Sequence, residues 1–120
     1  MIYLAIFLGG GLGSLLRYGT TKVANSMFHN ILPIGTIISN ILACLLLGIF
    51  LVALKNQLKE SVFLTNFLVI GLCGGYSTFS TFSNETIVLF QNGDWIYALL
   101  NILISLSACL VILYLVLKTR

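Results

Sequence analysis

The chain has 120 residues, of which 59% are hydrophobic and 8% charged, with a formal net charge of +3. A soluble domain covers its surface with about 25% charged residues, so this composition excludes an ordinary water-soluble fold. A bilayer crossing takes about 20 predominantly apolar residues, which leaves room for four crossings in one all-α transmembrane domain and none for a soluble catalytic domain. No basic stripe marks a nucleic-acid surface.

The first span is expected from Ile2 to Val23. Met1 to Leu8 lacks a basic leader and a small-residue cleavage site, so it reads as a retained crossing and not as a signal peptide. Gly9 and Gly13 are four residues apart, as are Gly10 and Ser14. Small residues at that spacing let helix backbones approach closely in lipid. Arg17 and Lys22 lie toward the far end, and the polar run Asn25 to Asn30, with the lone His29, predicts the first loop.

The second span is expected from Pro33 to Leu54. Proline suits a first helical turn, where its missing N–H would be unpaired anyway. The first half carries Thr36, Ser39 and Asn40, the second half is aliphatic, and Lys55 to Glu60 predicts a loop.

The third span, residues 61–90, is too long for one straight crossing. Its middle, Gly71 to Ser83, is crowded with Gly, Ser and Thr. Glycine costs a helix interior about 1 kcal/mol, and Ser and Thr compete for backbone hydrogen bonds. A helix break is predicted near residues 74–78, at membrane depth. Irregular backbone survives there only when buried in protein or lining a watery cavity, which points to transport.

Gln91 to Asp94 predicts a tight turn through Asn92-Gly93, and the fourth span is expected from Trp95 to Leu117. Trp95 and Tyr97 suit the interface. Asn101, Ser105 and Cys109 share one face at four-residue spacing. The three cysteines (Cys44, Cys73, Cys109) form no C-x-x-C pair and read as small apolar fillers.

A pore for a small anion must replace hydration with donors in its wall, and weak serial donors serve better than a deep fixed charge that would trap the ion. Thr36, Asn40, Ser77, Thr78, Ser80, Thr81, Ser83, Asn101 and Ser105 supply hydroxyl and amide donors. Phe79 and Phe82 are three apart, so a helix would put them on one face, and their electropositive ring edges could meet an anion. Glu85 is the one acid inside a span, hence a functional candidate by default. A pore-mouth role and an interfacial, solvated role both remain open for it.

The segment Gly74-Gly75-Tyr76-Ser77-Thr78-Phe79-Ser80-Thr81-Phe82-Ser83 resembles the signature of the Fluc fluoride channels, also called CrcB proteins. Gly10-Gly11-Leu12-Gly13-Ser14-Leu15-Leu16-Arg17-Tyr18 and Gly35-Thr36-Ile37-Ile38-Ser39-Asn40 are similar to the motifs of its first and second helices. The resemblance implies a fluoride-selective, non-enzymatic channel for passive fluoride export across the cytoplasmic membrane. It implies an antiparallel, dual-topology dimer with two pores, and a structural sodium ion held by backbone carbonyls of Gly74 and Ser77 from both subunits. It makes Phe79 and Phe82 the pore aromatics and Asn40 a central fluoride donor. Thr36, Asn101 and Ser105 become a polar track, with Ser80 and Thr81 beside the aromatics and Arg17 at the vestibule. Ser77 stands where most relatives have threonine, and Cys109 where some have serine, a stronger donor than a thiol.

With four spans, Lys55, Lys59, Lys118 and Arg120 fall on one side, against Lys22 and Arg17 on the other. The bias favours cytoplasmic termini and leaves open whether the antiparallel partner is a second copy or a homologue. Two other readings are a small four-span multidrug exporter and a non-transporting membrane subunit. The exporters carry a glutamate in the first span, whereas the first acid here is Glu60. The polar break argues against the subunit reading. No nucleophile, base and orienter can be assembled for an enzyme.

Overall fold

In lipid, apolar contact alone does not hold helices together, so association rests on close packing and internal hydrogen bonds. The computed structural model describes residues 1–119; Arg120, one of the charges that set the expected orientation, lies outside the described residues. Four helices are long and apolar enough to span a bilayer: Ile2–Met27, Ile34–Ala53, Val62–Gln91 and Trp95–Lys118. The first, second and last are continuous and are denoted α1, α2 and α7. Short α3 (Lys55–Glu60) connects α2 to the third crossing. That crossing is composite: α4 (Val62–Thr65), a π-helical segment Asn66–Cys73, α5 (Gly74–Tyr76), then α6 (Phe79–Gln91).

Small residues set the core. Ala5, Gly9 and Gly13 are the buried stripe of the first half of α1. A Cβ on Gly9 would run into the Phe67 carbonyl oxygen, and one on Gly13 into that of Leu72. The facing helix answers with Gly71 and Gly75, where a Cβ would meet Gly9 Cα at 2.9 Å and the Gly10 carbonyl oxygen at 2.5 Å. The two backbones are therefore in direct contact, and the π turns lie at that contact. Large apolar side chains such as Phe7, Leu15, Leu103 and Leu110 point outward, as lipid-facing residues do.

The third crossing breaks at two residues. Ser77 (φ −75°, ψ 157°) and Thr78 (φ −152°, ψ 115°) are extended. Each backbone group freed there needs a partner, since water is scarce at this depth. Asn40 of α2 supplies two bonds: its Oδ1 accepts the Thr78 N–H at 2.7 Å, and its Nδ2 donates to the Thr78 carbonyl at 3.2 Å. Arg17 of α1 donates from Nη1 to the Ser77 carbonyl at 3.1 Å. Ser77 returns its N–H and its hydroxyl to the Cys73 carbonyl, both at 3.0 Å. Thr78 then caps α6, its Oγ1 accepting the Thr81 N–H at 3.2 Å.

Several boundaries differ from expectation. The break falls at Ser77 and Thr78, while Gly74 and Gly75 remain helical. The expected loop at Asn25 is helical to Met27, because Ser26 bonds back to the Val23 carbonyl and satisfies the last turn. Lys55 to Glu60 is a short helix and not an open loop. The turn after α6 is as tight as expected, with Gly93 at φ +84°.

Two outcomes are expected of the packing and the break. Gly9→Val or Gly13→Val should lower the thermal midpoint in detergent by the equivalent of about 1–3 kcal/mol of overpacking. Gly11→Ala, whose Cβ meets nothing within 4 Å, should leave it unchanged or raised. Asn40→Ala should destabilise by about 1–3 kcal/mol, because the Thr78 N–H loses its partner; amide exchange at Thr78 should speed up before that of the rest of α6.

Candidate functional site

The polar residues of α2, α6 and α7 lie in the halves of those helices that share one face of the bundle. α2 begins there with Thr36 and Asn40, α7 with Asn101 and Ser105, and α6 arrives there from the break. The four-residue spacing puts each set on one stripe. The aliphatic halves of α2 and α7 pack below, with Gly48 receiving Val116 and Leu113.

A cavity of about 280 Å³ opens at the break. Asn40, Ser77, Thr78, Phe79, Phe82 and Ser105 line it, with Cys44 and Cys109 beyond them. No charged side chain is among its lining residues. Asn40 has a second amide hydrogen beyond the one given to Thr78, so it can both clamp the break and donate to a guest. The Phe79 and Phe82 ring centroids are 5.5 Å apart with planes tilted by 42°. Phe82 is buried (7% exposed), whereas Phe79 is 74% exposed at the subunit surface.

From Phe82 a chain of buried hydrogen bonds leads away from the break. Thr86 Oγ1 donates to the Phe82 carbonyl at 2.7 Å, and Asn101 Nδ2 donates to Thr86 Oγ1 at 2.9 Å. Ser105 Oγ, back at the cavity, donates to Asn101 Oδ1 at 3.3 Å. Asn101 is fully buried. Thr36 is buried too, and its hydroxyl donates to Glu85 Oε1 at 2.8 Å. Glu85 Oε2 is buried with no partner among the described residues. Glu85 also borders a second cavity, of about 370 Å³, together with Pro33, Asn84, Asn92 and Asp94 at the loop end.

The structure thus brings Asn40, Phe79, Phe82 and Ser105 to one cavity, joins Asn101 to it through Ser105, and puts Thr36 with Glu85 nearer the loop end. Ser80 and Thr81 do not line that cavity; their hydroxyls bond to Thr78 Oγ1 at 3.3 and 3.0 Å on the exposed side of the cap. Arg17 stands at the break itself, half-buried against Ser77. Gly74 and Ser77 border a smaller, separate cavity with Ala43, Cys44, Leu47, Val69 and Cys73.

Two participants escaped the sequence reading. Thr86 links Asn101 to Phe82; its signal was the stripe Phe79, Phe82, Thr86, Leu89 at three- and four-residue spacing, which is one helix face. Tyr76 is buried just before the break, its hydroxyl 2.8 Å from Thr20 Oγ1, and nothing local in the sequence set it apart from the other aromatics.

Known proteins resemble this chain along most of its length. The family model described as CrcB-like protein, camphor resistance (CrcB), matches residues 4–117. A Flavobacterium psychrophilum protein named fluoride-specific ion channel FluC is 50% identical over 100 residues, covering 83% of this chain and 81% of its own. Proteins of the same name from Shewanella baltica and Shewanella putrefaciens are 41% and 38% identical over 112 residues, covering 93% of this chain and 90% of theirs. With a family match running through all four crossings and the break, the chain is a multi-pass membrane protein and belongs to the CrcB family.

Proposed function

We propose that this protein is a fluoride-selective channel that lets fluoride leave the cell passively across the cytoplasmic membrane. The observation that carries the reading is the uncharged cavity at the break, where one free Asn40 N–H and two phenylalanine rings converge. The name shared by the relatives, fluoride-specific ion channel, supports it. A small, strongly hydrated anion loses water on entering such a site. The Asn40 amide and the ring edges of Phe79 and Phe82 replace part of that shell without a fixed charge that would hold the ion. Asn101 retains one N–H beyond its bond to Thr86, so it provides the next donor toward Thr36 and Glu85. Arg17 at the break adds positive potential nearby, which raises the local anion concentration. In an acidic medium hydrogen fluoride crosses membranes and dissociates inside, so a passive exit limits fluoride accumulation.

The proposal extends to a dimer of antiparallel subunits with two pores. Gly74, Phe79, Ser80 and Thr81 are all exposed around the break, at membrane depth. Hydroxyls facing hydrocarbon are unfavourable, so a protein surface is the better cover. A structural sodium ion between the two breaks fits the donor chemistry. The Gly74 carbonyl receives only a 3.5 Å approach from Ser77 Oγ. The Ser77 carbonyl has a second lone pair beyond the one taken by Arg17. Neutral carbonyl oxygens suit a hard cation, and two subunits would double the set. Such an ion would satisfy carbonyls and pin the breaks; anion passage is left to the residues above.

Fluoride efflux from liposomes tests the pore. Phe79→Ile and Phe82→Ile should each slow it at least about tenfold, or about 1.4 kcal/mol on the barrier, without loss of the dimer. Chloride leaving as fast as fluoride would overturn the selectivity. A C-terminal reporter fusion should appear on both sides of the membrane if the partner is a second copy, and on one side if it is a homologue.

A further inference from the structure

The pore reading uses the polar half of the α2–α7 seam and leaves its next rung unexplained. That seam is built from residues at matched heights: Asn40 of α2 and Ser105 of α7 line the cavity, and one turn further Cys44 and Cys109 line it together. The two thiols come from packed helices and line the same cavity. Both are free and half-buried, not sealed in the core. The third cysteine differs. Cys73 is buried, does not line this cavity, and borders the smaller one, which Cys44 also borders.

The geometry points to a two-thiol site formed by Cys44 and Cys109 that takes one soft, thiophilic divalent cation of the Hg2+ class and closes the cavity at the break when occupied. A thiolate is the ligand form of cysteine, and soft cations select sulfur over the amides and hydroxyls around it. With Hg2+ the chemistry balances simply. Two S–H bonds break, two S–Hg bonds form, and two protons leave to water. The product, two thiolates on one divalent cation, is neutral, as an apolar wall with Leu106 and Leu110 requires. Two ligands suffice, because these soft cations accept linear coordination. Among the described residues no group of three metal-ligating side chains competes for a metal of higher coordination number. A bound ion and its two sulfurs would occupy the cavity wall one turn from Asn40, where a passing anion would be excluded. The closure, though not the metal site, rests on the channel reading.

The test uses the purified full-length protein in liposomes, loaded with Hg2+ and then washed with an excess of the monothiol β-mercaptoethanol, which strips singly bound mercury but competes poorly with a chelating pair. About one Hg2+ per subunit should be retained by the wild type and by Cys73→Ser, and none by Cys44→Ser or Cys109→Ser. Mercury retained by either of the last two, or lost from the wild type or from Cys73→Ser, overturns the site. Fluoride efflux, normalised to each protein's own metal-free rate, should fall at least about tenfold on loading in the wild type and in Cys73→Ser only. Retained mercury with undiminished efflux overturns the closure. Absence of efflux from the metal-free wild type is a failure of the channel reading, and the mercury count still decides the site.

Discussion

The structure depends on a two-residue interruption of a membrane helix and on the side chains that satisfy it. In hydrocarbon, an unpaired backbone group costs several kcal/mol, so Ser77 and Thr78 can be extended only if neighbours replace the lost ladder. Asn40 does so with both ends of its amide, and Arg17 does so at the Ser77 carbonyl. These two side chains come from α2 and α1, so the break ties three crossings together. The same bonds bring an amide donor and a guanidinium to mid-membrane, where neither would be stable alone.

Close packing makes those bonds possible. The Gly9–Gly13 face of α1 lies on the backbone of Phe67 to Tyr76, which carries Arg17 one turn further to the level of Ser77. Tyr76 locks the same junction from inside through Thr20. The glycines therefore act at a distance: they set helix separation, and separation sets which side chains can reach the break. The π turns lie at this contact, in keeping with their frequent place beside functional sites.

Polarity is then distributed along the seam in a graded way. The loop-end half holds Asn101 and Thr86 in buried hydrogen bonds and Thr36 with Glu85 in a partly buried one. The middle holds Asn40 and Ser105 at the cavity, followed by two thiols and then by aliphatic packing around Gly48. On the proposed channel reading, this order runs from amides at the loop end to ring edges and then to weaker sulfur donors. Phe79, Ser80 and Thr81 are exposed at the start of α6, on the surface of the subunit.

Much of this was legible in the residues themselves. The length and apolarity of the runs determined four crossings, since bilayer thickness dictates helix length. The Gly, Ser and Thr content of residues 71–83 placed the break in the third, and four-residue spacing put Asn101 with Ser105 and Gly9 with Gly13 on common faces. Local chemistry did not reveal which residues of that segment unwind. Gly74 and Gly75 have the lower helix propensity, yet they stay helical because α1 packs against Gly75, and Ser77 and Thr78 unwind because Asn40 and Arg17 stand ready to receive them. The pairing of Thr86 with Asn101 and of Thr36 with Glu85, and the meeting of Cys44 and Cys109 at one cavity, likewise required the tertiary structure. Each partner sits on a different helix, and relative helix height and rotation are decided by how small residues let backbones approach, which no single stretch of sequence encodes.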